Sequence, residues 1–213
     1  MTVFRMRSDI ENYRSLTFRE LVEGVPFDVS STDELFYDAC SIEATWKPRR
    51  VVYWNEDVPE GDFPSFEPML VFTRQALDAL RDLLDPNGEF LPLESHVREF
   101  HAYKVLRFVD GLDLEQSVID WWPQLKKDAG KPRVVRDVKR FVFHDSAIAD
   151  ATIFKVPQMS MSHVFVTDSF VQRVNDARLT GFLFHQLWPP PDPSLERQRF
   201  LDKRKRRGRR RGG

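Results

Sequence analysis

Leu70-Val71-Phe72-Thr73-Arg74-Gln75-Ala76-Leu77-Asp78-Ala79-Leu80-Arg81-Asp82-Leu83-Leu84 changes its hydrophobic period at one residue. Leu70 to Phe72 is a short apolar run of the kind that forms a strand. From Ala76 onward the apolar side chains Leu77, Leu80, Leu83 and Leu84 recur at helical spacing. Thr73 stands at the junction, where its hydroxyl can accept an N–H of the first helical turn. Asp85-Pro86-Asn87-Gly88 then supplies a turn signal. A strand running directly into an amphipathic helix predicts a fold that mixes the two.

Working outward, strand-like segments dominate. Val3 to Arg7 alternates apolar and polar residues, and Val51-Val52-Tyr53-Trp54 is another short run. Phe90 to Leu93, Phe100 to Val109, Val134 to Phe143, Ile153-Phe154, Val164 to Val166 and Phe182 to Phe184 extend the series. Phe165-Val166-Thr167 before Phe170, Val171 and Val174 repeats the order strand, Thr, helix, which is common at such junctions. Thr17-x-x-Glu20 and Ser31-x-x-Glu34 have capping-box spacing and predict two further helix starts. The fold class predicted is α+β, with a mixed or antiparallel sheet and several short helices in a single domain with a basic C-terminal tail. Residues 1–188 form the domain, 189–193 a Pro-rich linker, and 194–213 a tail read as disordered.

The formal net charge of −1 conceals a division. Residues 1–202 carry 24 basic and 33 acidic side chains, a net of −9, and the last eleven residues carry +8. The single Cys40 excludes an intrachain disulfide and a multi-cysteine metal site. It lies among Ala39, Ile42 and Ala44, which predicts a small buried core residue. The first thirty residues lack a signal-peptide core. No apolar run approaches the roughly 20 residues of a membrane helix. These readings predict a cytoplasmic protein.

Chemical motifs are sparse. The five histidines, His96, His101, His144, His163 and His185, form no compact ligand pair, and no metal is expected. His144-Asp145-Ser146 follows a strand and is read as a turn, because triads assemble in space and not from adjacent residues. No glycine-rich dinucleotide or phosphate loop occurs, so no cofactor and no enzymatic activity are expected.

Three features suit partner binding. The acidic, Pro-rich loop with Glu56, Asp57, Glu60 and Asp62, and Glu67 beyond it, can attract a basic partner at long range, or be an ordinary polar surface loop. Trp121-Trp122-Pro123 is either a docking surface or one Trp in the core with one partly exposed. The run Lys203, Arg204, Lys205, Arg206, Arg207, Arg209, Arg210 and Arg211 can bind nucleic acid through phosphates, tether to the acidic body, or be a solvated terminus.

The second half has a more specific order. It runs Gly111-Leu112-Asp113-Leu114-Glu115-Gln116-Ser117, Phe141-Val142-Phe143 and Ile153-Phe154-Lys155-Val156. Val164-Phe165-Val166-Thr167-Asp168-Ser169-Phe170 and Leu179-Thr180-Gly181-Phe182-Leu183-Phe184 complete it. This resembles a family of bacterial immunity proteins that neutralise polymorphic toxins, with weaker similarity from Val51. The resemblance implies stoichiometric binding of a cognate toxin without a cofactor, and carries no catalytic residues. With the −9 body it implies a basic toxin, for which the acidic loop and Trp121-Trp122 are the expected contacts. The alternative is a nucleic-acid-associated protein that uses its tail.

Overall fold

The computed structural model describes residues 1–24, 34–67, 69–123, 135–159 and 163–192. Three sheets are present among them. The first contains β1 (Val3–Ser8), β10 (Ile153–Phe154), β11 (Phe165–Thr167) and β12 (Phe182–Trp188), antiparallel in the order β10-β11-β1-β12. The second contains β2 (Leu16–Phe18), β3 (Arg49–Tyr53), β4 (Ser65–Phe66), β5 (Met69–Thr73), β6 (Gly88–Glu94) and β7 (Phe100–Val105), in the order β2-β3-β6-β7-β5-β4. Its β3–β6 pairing is parallel and its other pairings are antiparallel. A third, two-stranded sheet pairs β8 (Val118–Trp121) with β9 (Val135–Arg140). The helices are α1 (Arg19–Val22), α2 (Arg74–Leu84), α3 (Asp145–Ile148) and α4 (Asp168–Asp176). The architecture is α+β with mixed and antiparallel sheets.

Side-chain alternation sorts the core into three clusters. Met6, Phe72, Tyr103, Val105, Ile153 and Val166 point to one central cluster, which α2 fills with Ala76, Leu80 and Leu84 and α4 with Phe170 and Val174. Their strand neighbours Val3, Phe154 and Phe165 point the other way, into a cluster with Val138, Phe141 and Phe143. Val71, Phe100 and Ala102 do the same in the second sheet, against Leu16, Phe18, Val51 and Leu91. The inner strands are therefore buried on both faces, which is why they read as nearly continuous apolar runs.

The Thr73 cap is present. Its hydroxyl accepts the Ala76 N–H at 3.3 Å. Thr167 departs from the repeat: it makes no cap bond and its hydroxyl pairs with that of Ser169 at 2.9 Å. Thr17 is no cap either. It lies within β2, where Leu16 and Phe18 pair with Tyr53 and Val51; the helix start expected here is present, as α1 from Arg19, but it opens without a side-chain cap bond. Ser31 lies outside the described residues. Cys40 is exposed, contrary to expectation, in an irregular segment that turns its side chain away from the core. His144-Asp145-Ser146 opens α3 and is not a simple turn. The predicted strand at Phe100 to Val109 ends at Val105, and that at Val134 to Phe143 is β9 followed by a separate bridge from Phe143 to Leu112. The predicted tail, with Lys203 to Arg211, lies outside the described residues.

Candidate functional site

The acidic loop leaves β3 at Trp54 and is held by the segment that precedes β2. The Trp54 N–H donates to the Ser15 carbonyl at 2.9 Å, and the Ser15 N–H to Asn55 Oδ1 at 2.8 Å. Arg14 donates through Nε to the Val58 carbonyl at 2.9 Å and through Nη2 to the Glu56 carbonyl at 3.2 Å. Its backbone N–H takes the Pro59 carbonyl at 3.0 Å, and its guanidinium stands 5.2 Å over the Tyr53 ring. One arginine thus satisfies carbonyls that a loop would otherwise offer to water, and fixes the loop's path.

The acidic side chains then separate into two groups. Glu60 is held between Arg14 at 3.5 Å and Arg98 at 3.8 Å. Asp62 is buried, at 6% exposure, and is not part of the surface. It is a structural residue that ties the loop to the segment before β12 and to the start of α2, because its carboxylate accepts from Thr180 and Thr73. Glu56, Asp57 and Glu67 are exposed and meet no side-chain partner among the described residues. Beside Glu56 and Asp57 stands Trp54, 68% exposed. Sequence reasoning placed Trp54 in a strand and missed it as a contact residue. The available signal was a Trp placed where a strand meets a Pro-rich loop.

Trp121 and Trp122 stand elsewhere, at the end of β8. Trp121 is half-buried opposite Val135, and Trp122 is 54% exposed with the Arg136 guanidinium 5.8 Å over its ring. Arg136 also pairs with Asp120 at 2.6 Å. The structure does not bring the tryptophan pair and the acidic loop together on one element.

The second sheet also forms a cleft of about 540 Å³ where β6 ends and β3 continues, lined by Arg50, Glu94, His96, Arg98 and Glu99 among others. Its charges are mutually compensated: Arg50 pairs with Glu94 at 3.2 Å and Arg74 with Glu99 at 3.4 Å. Among the described residues, no three His, Cys, Asp or Glu side chains converge as a metal set would. His96 meets Arg19 and His101 meets Glu99.

Residues 90–187 match the family model of an immunity protein family (Imm11). The match runs from β6 to the penultimate residue of β12 and takes in the Leu112, Ile153, Phe165 and Gly181 segments on which the resemblance rests. It includes Trp121 and Trp122. The strand–helix segment at 70–84 and the acidic loop precede it. No curated protein sequence matches the chain. No described helix is long and apolar enough to cross a membrane.

Proposed function

We propose that the protein is an immunity protein that binds a cognate bacterial toxin in the cytoplasm and blocks it by stoichiometric association, without chemistry of its own. The match of residues 90–187 to an immunity family carries this reading. The pre-fixed acidic loop supports a basic toxin as the partner. Trp54 offers a large apolar contact, and Glu56 and Asp57 hold carboxylates with no side-chain partner among the described residues, an arrangement suited to a hot spot with electrostatic steering. Because Arg14 orders the loop before any encounter, little conformational entropy is lost on binding. Trp122 is the contact proposed on the matched half.

Co-expression with the toxin encoded beside the gene tests the proposal. Protection and a one-to-one complex are expected, and growth arrest with no complex would overturn it. The reversed-charge variant with Glu56→Lys and Asp57→Lys is expected to slow association. Deletion of residues 203–213 is expected to leave protection intact. A deletion that abolished protection would move the function to the tail and its affinity for phosphates.

A further inference from the structure

β1 gives its two faces different tasks. Phe4 and Met6 face the central core, while Val3, Arg5 and Arg7 face the side on which the β8–β9 sheet packs. That small sheet covers Val3 but not Arg5. Between it and β12 lies a second cleft of about 380 Å³, with Arg5 and His163 in its wall, Lys139 and Arg140 on one lip, and His185 and Pro190 on the other.

The electrostatics of this cleft run against those of the chain. Arg5, Lys139 and Arg140 contribute three positive charges and Asp137 one negative, in a body whose net charge is −9. Arg5 is half-buried; its Nη1 lies 3.0 Å from His163 Nε2, and its buried Nε has no hydrogen-bond partner among the described residues. Burial, with Arg5 and Arg7 close by, pushes the His163 ring down to about 4, so the imidazole is neutral at ordinary pH and accepts a hydrogen bond from Arg5 without cancelling its charge. Asp137 offsets part of the Arg5 charge, and the excess of cations over this one carboxylate leaves the concave wall with a positive potential.

The edge of the cleft defines the form of the ligand. β12 is the terminal strand of its sheet, so its outer backbone edge faces no strand among the described residues. Leu183 and His185 pair with Arg7 and Arg5 and share their face, Leu187 lines the same cleft, and Leu183 is 47% exposed. A strand added along this edge sets every second side chain over the same face. We propose that the cleft and the β12 edge together form a binding site for an extended acidic peptide segment, whose backbone pairs with β12 and whose carboxylate side chain enters the cleft toward Arg5, Lys139 and Arg140. The site is distinct from the acidic loop and does not depend on the toxin reading.

The test measures, on the full chain, fluorescence anisotropy of a short labelled peptide with Glu at alternate positions, beside its Gln counterpart. The Glu peptide is expected to bind about tenfold or more tightly than the Gln peptide, as charge-assisted contacts in a partly desolvated site require. Lys139 and Arg140 are exposed, and Arg140 donates from Nη2 to the Gln116 carbonyl at 2.8 Å in an exposed contact, so the variant with Lys139→Glu and Arg140→Glu is expected to keep the fold, checked by its urea midpoint, and it keeps the basic tail. It is expected to lose that preference, while Lys47→Glu keeps it. Methylating the peptide's pairing backbone nitrogens is expected to weaken binding to a similar degree. Equal affinity for the two peptides overturns the proposal. So does undiminished binding by the double variant, which assigns the peptide to the tail, or inorganic phosphate binding as tightly as the Glu peptide.

Discussion

The Asp62 carboxylate accepts both the backbone N–H of Thr180, at 2.9 Å, and its hydroxyl, at 2.8 Å, across 118 positions of sequence. Its other oxygen takes the Thr73 hydroxyl at 3.2 Å and Arg98 at 3.4 Å. The same Thr73 hydroxyl caps α2, so one buried carboxylate joins the acidic loop, a helix start and the approach to β12. Asp62→Asn keeps the shape but turns one acceptor oxygen into a donor facing other donors. The expected cost is about 2 kcal/mol, from an unsatisfied buried group and the loss of charge assistance. Urea unfolding at neutral pH measures it. A variant within about 0.5 kcal/mol of the parent, the ordinary range for surface substitutions, would show that the junction does not hold the fold.

Gly181 occupies the other side of that junction. Its φ is +87°, and an added Cβ would sit 2.8 Å from the Phe63 carbonyl oxygen. Phe63 is itself fixed by stacking on Phe182 at 4.6 Å and by hydrogen bonding to the Thr180 carbonyl. Gly181→Ala therefore meets both a strained backbone and a backbone contact that cannot yield. A loss on the order of 1–3 kcal/mol is expected in the same unfolding assay, with the spectroscopic signature of the fold retained.

What could be read before the structure follows the range of the interactions. The Thr73 cap and the face of α2 are local, and their signals lie within a few residues. Thr17 carried an equally good local signal, yet it lies within β2, and α1 opens from Arg19 without a side-chain cap bond. β8 went unread because Asp120 breaks its apolar run, and it exists only by pairing with β9. Asp62 looked like its acidic neighbours because burial beside Thr180 is set 118 residues away. The burial of Lys104 and Lys155 had no sequence signal, since Lys-rich strands normally read as solvent-facing. Of the expected contact residues, Glu56, Asp57, Glu60, Glu67 and Trp122 are exposed, with Glu60 ion-paired, and Trp54 emerged only from the structure.

Lys155 and Lys104 are neighbouring buried ammonium groups. Lys155 donates to the Phe36 carbonyl at 2.6 Å; Lys104 donates to the Leu35 carbonyl and to Asp38 at 2.8 Å. Burial first, and then the charge of Lys104, push Lys155 down to about 8 from an ordinary 10.5. Between those values the unfolded chain holds a proton that the folded chain has released. This group therefore makes the fold more stable as pH rises through that window, by up to roughly 3 kcal/mol. Lys155→Met removes the titrating group at the cost of the Phe36 hydrogen bond. The difference in urea midpoint between the parent and this variant is expected to widen in favour of the parent from pH 8 to pH 10. A constant difference would show that Lys155 titrates as it does in water.

Trp54 separates contact from folding in the proposed interface. It is exposed, so Trp54→Ala is expected to change stability by less than about 0.5 kcal/mol. If the loop forms the toxin contact, the same change is expected to weaken the complex by about 2 kcal/mol or more, the usual range for a central aromatic anchor. Calorimetric titration of the purified pair measures it. Glu56→Lys is expected to act mainly on the association rate and to show a steeper response at low salt than at high salt. Equal affinity for all three proteins would place the interface elsewhere, with Trp122→Ala as the next variant.

His163 gives the acid limb of the stability profile a definite source. Its ring is held neutral against Arg5, and burial together with Arg5 and Arg7 lowers it to about 4 from an ordinary 6.5. Between pH 6.5 and 4 the unfolded chain binds a proton that the folded chain refuses, so the stability this group contributes above 6.5 is lost progressively as pH falls through that interval. His163→Gln retains an acceptor for Arg5 without the titration. It is expected to flatten the fall in urea midpoint between pH 6.5 and 4.5. Histidine-selective NMR gives a second, independent reading, in which the His163 ring remains neutral at pH 5. A His163 resonance titrating near 6.5 would show that the ring is solvated and that the Arg5 contact does not control it.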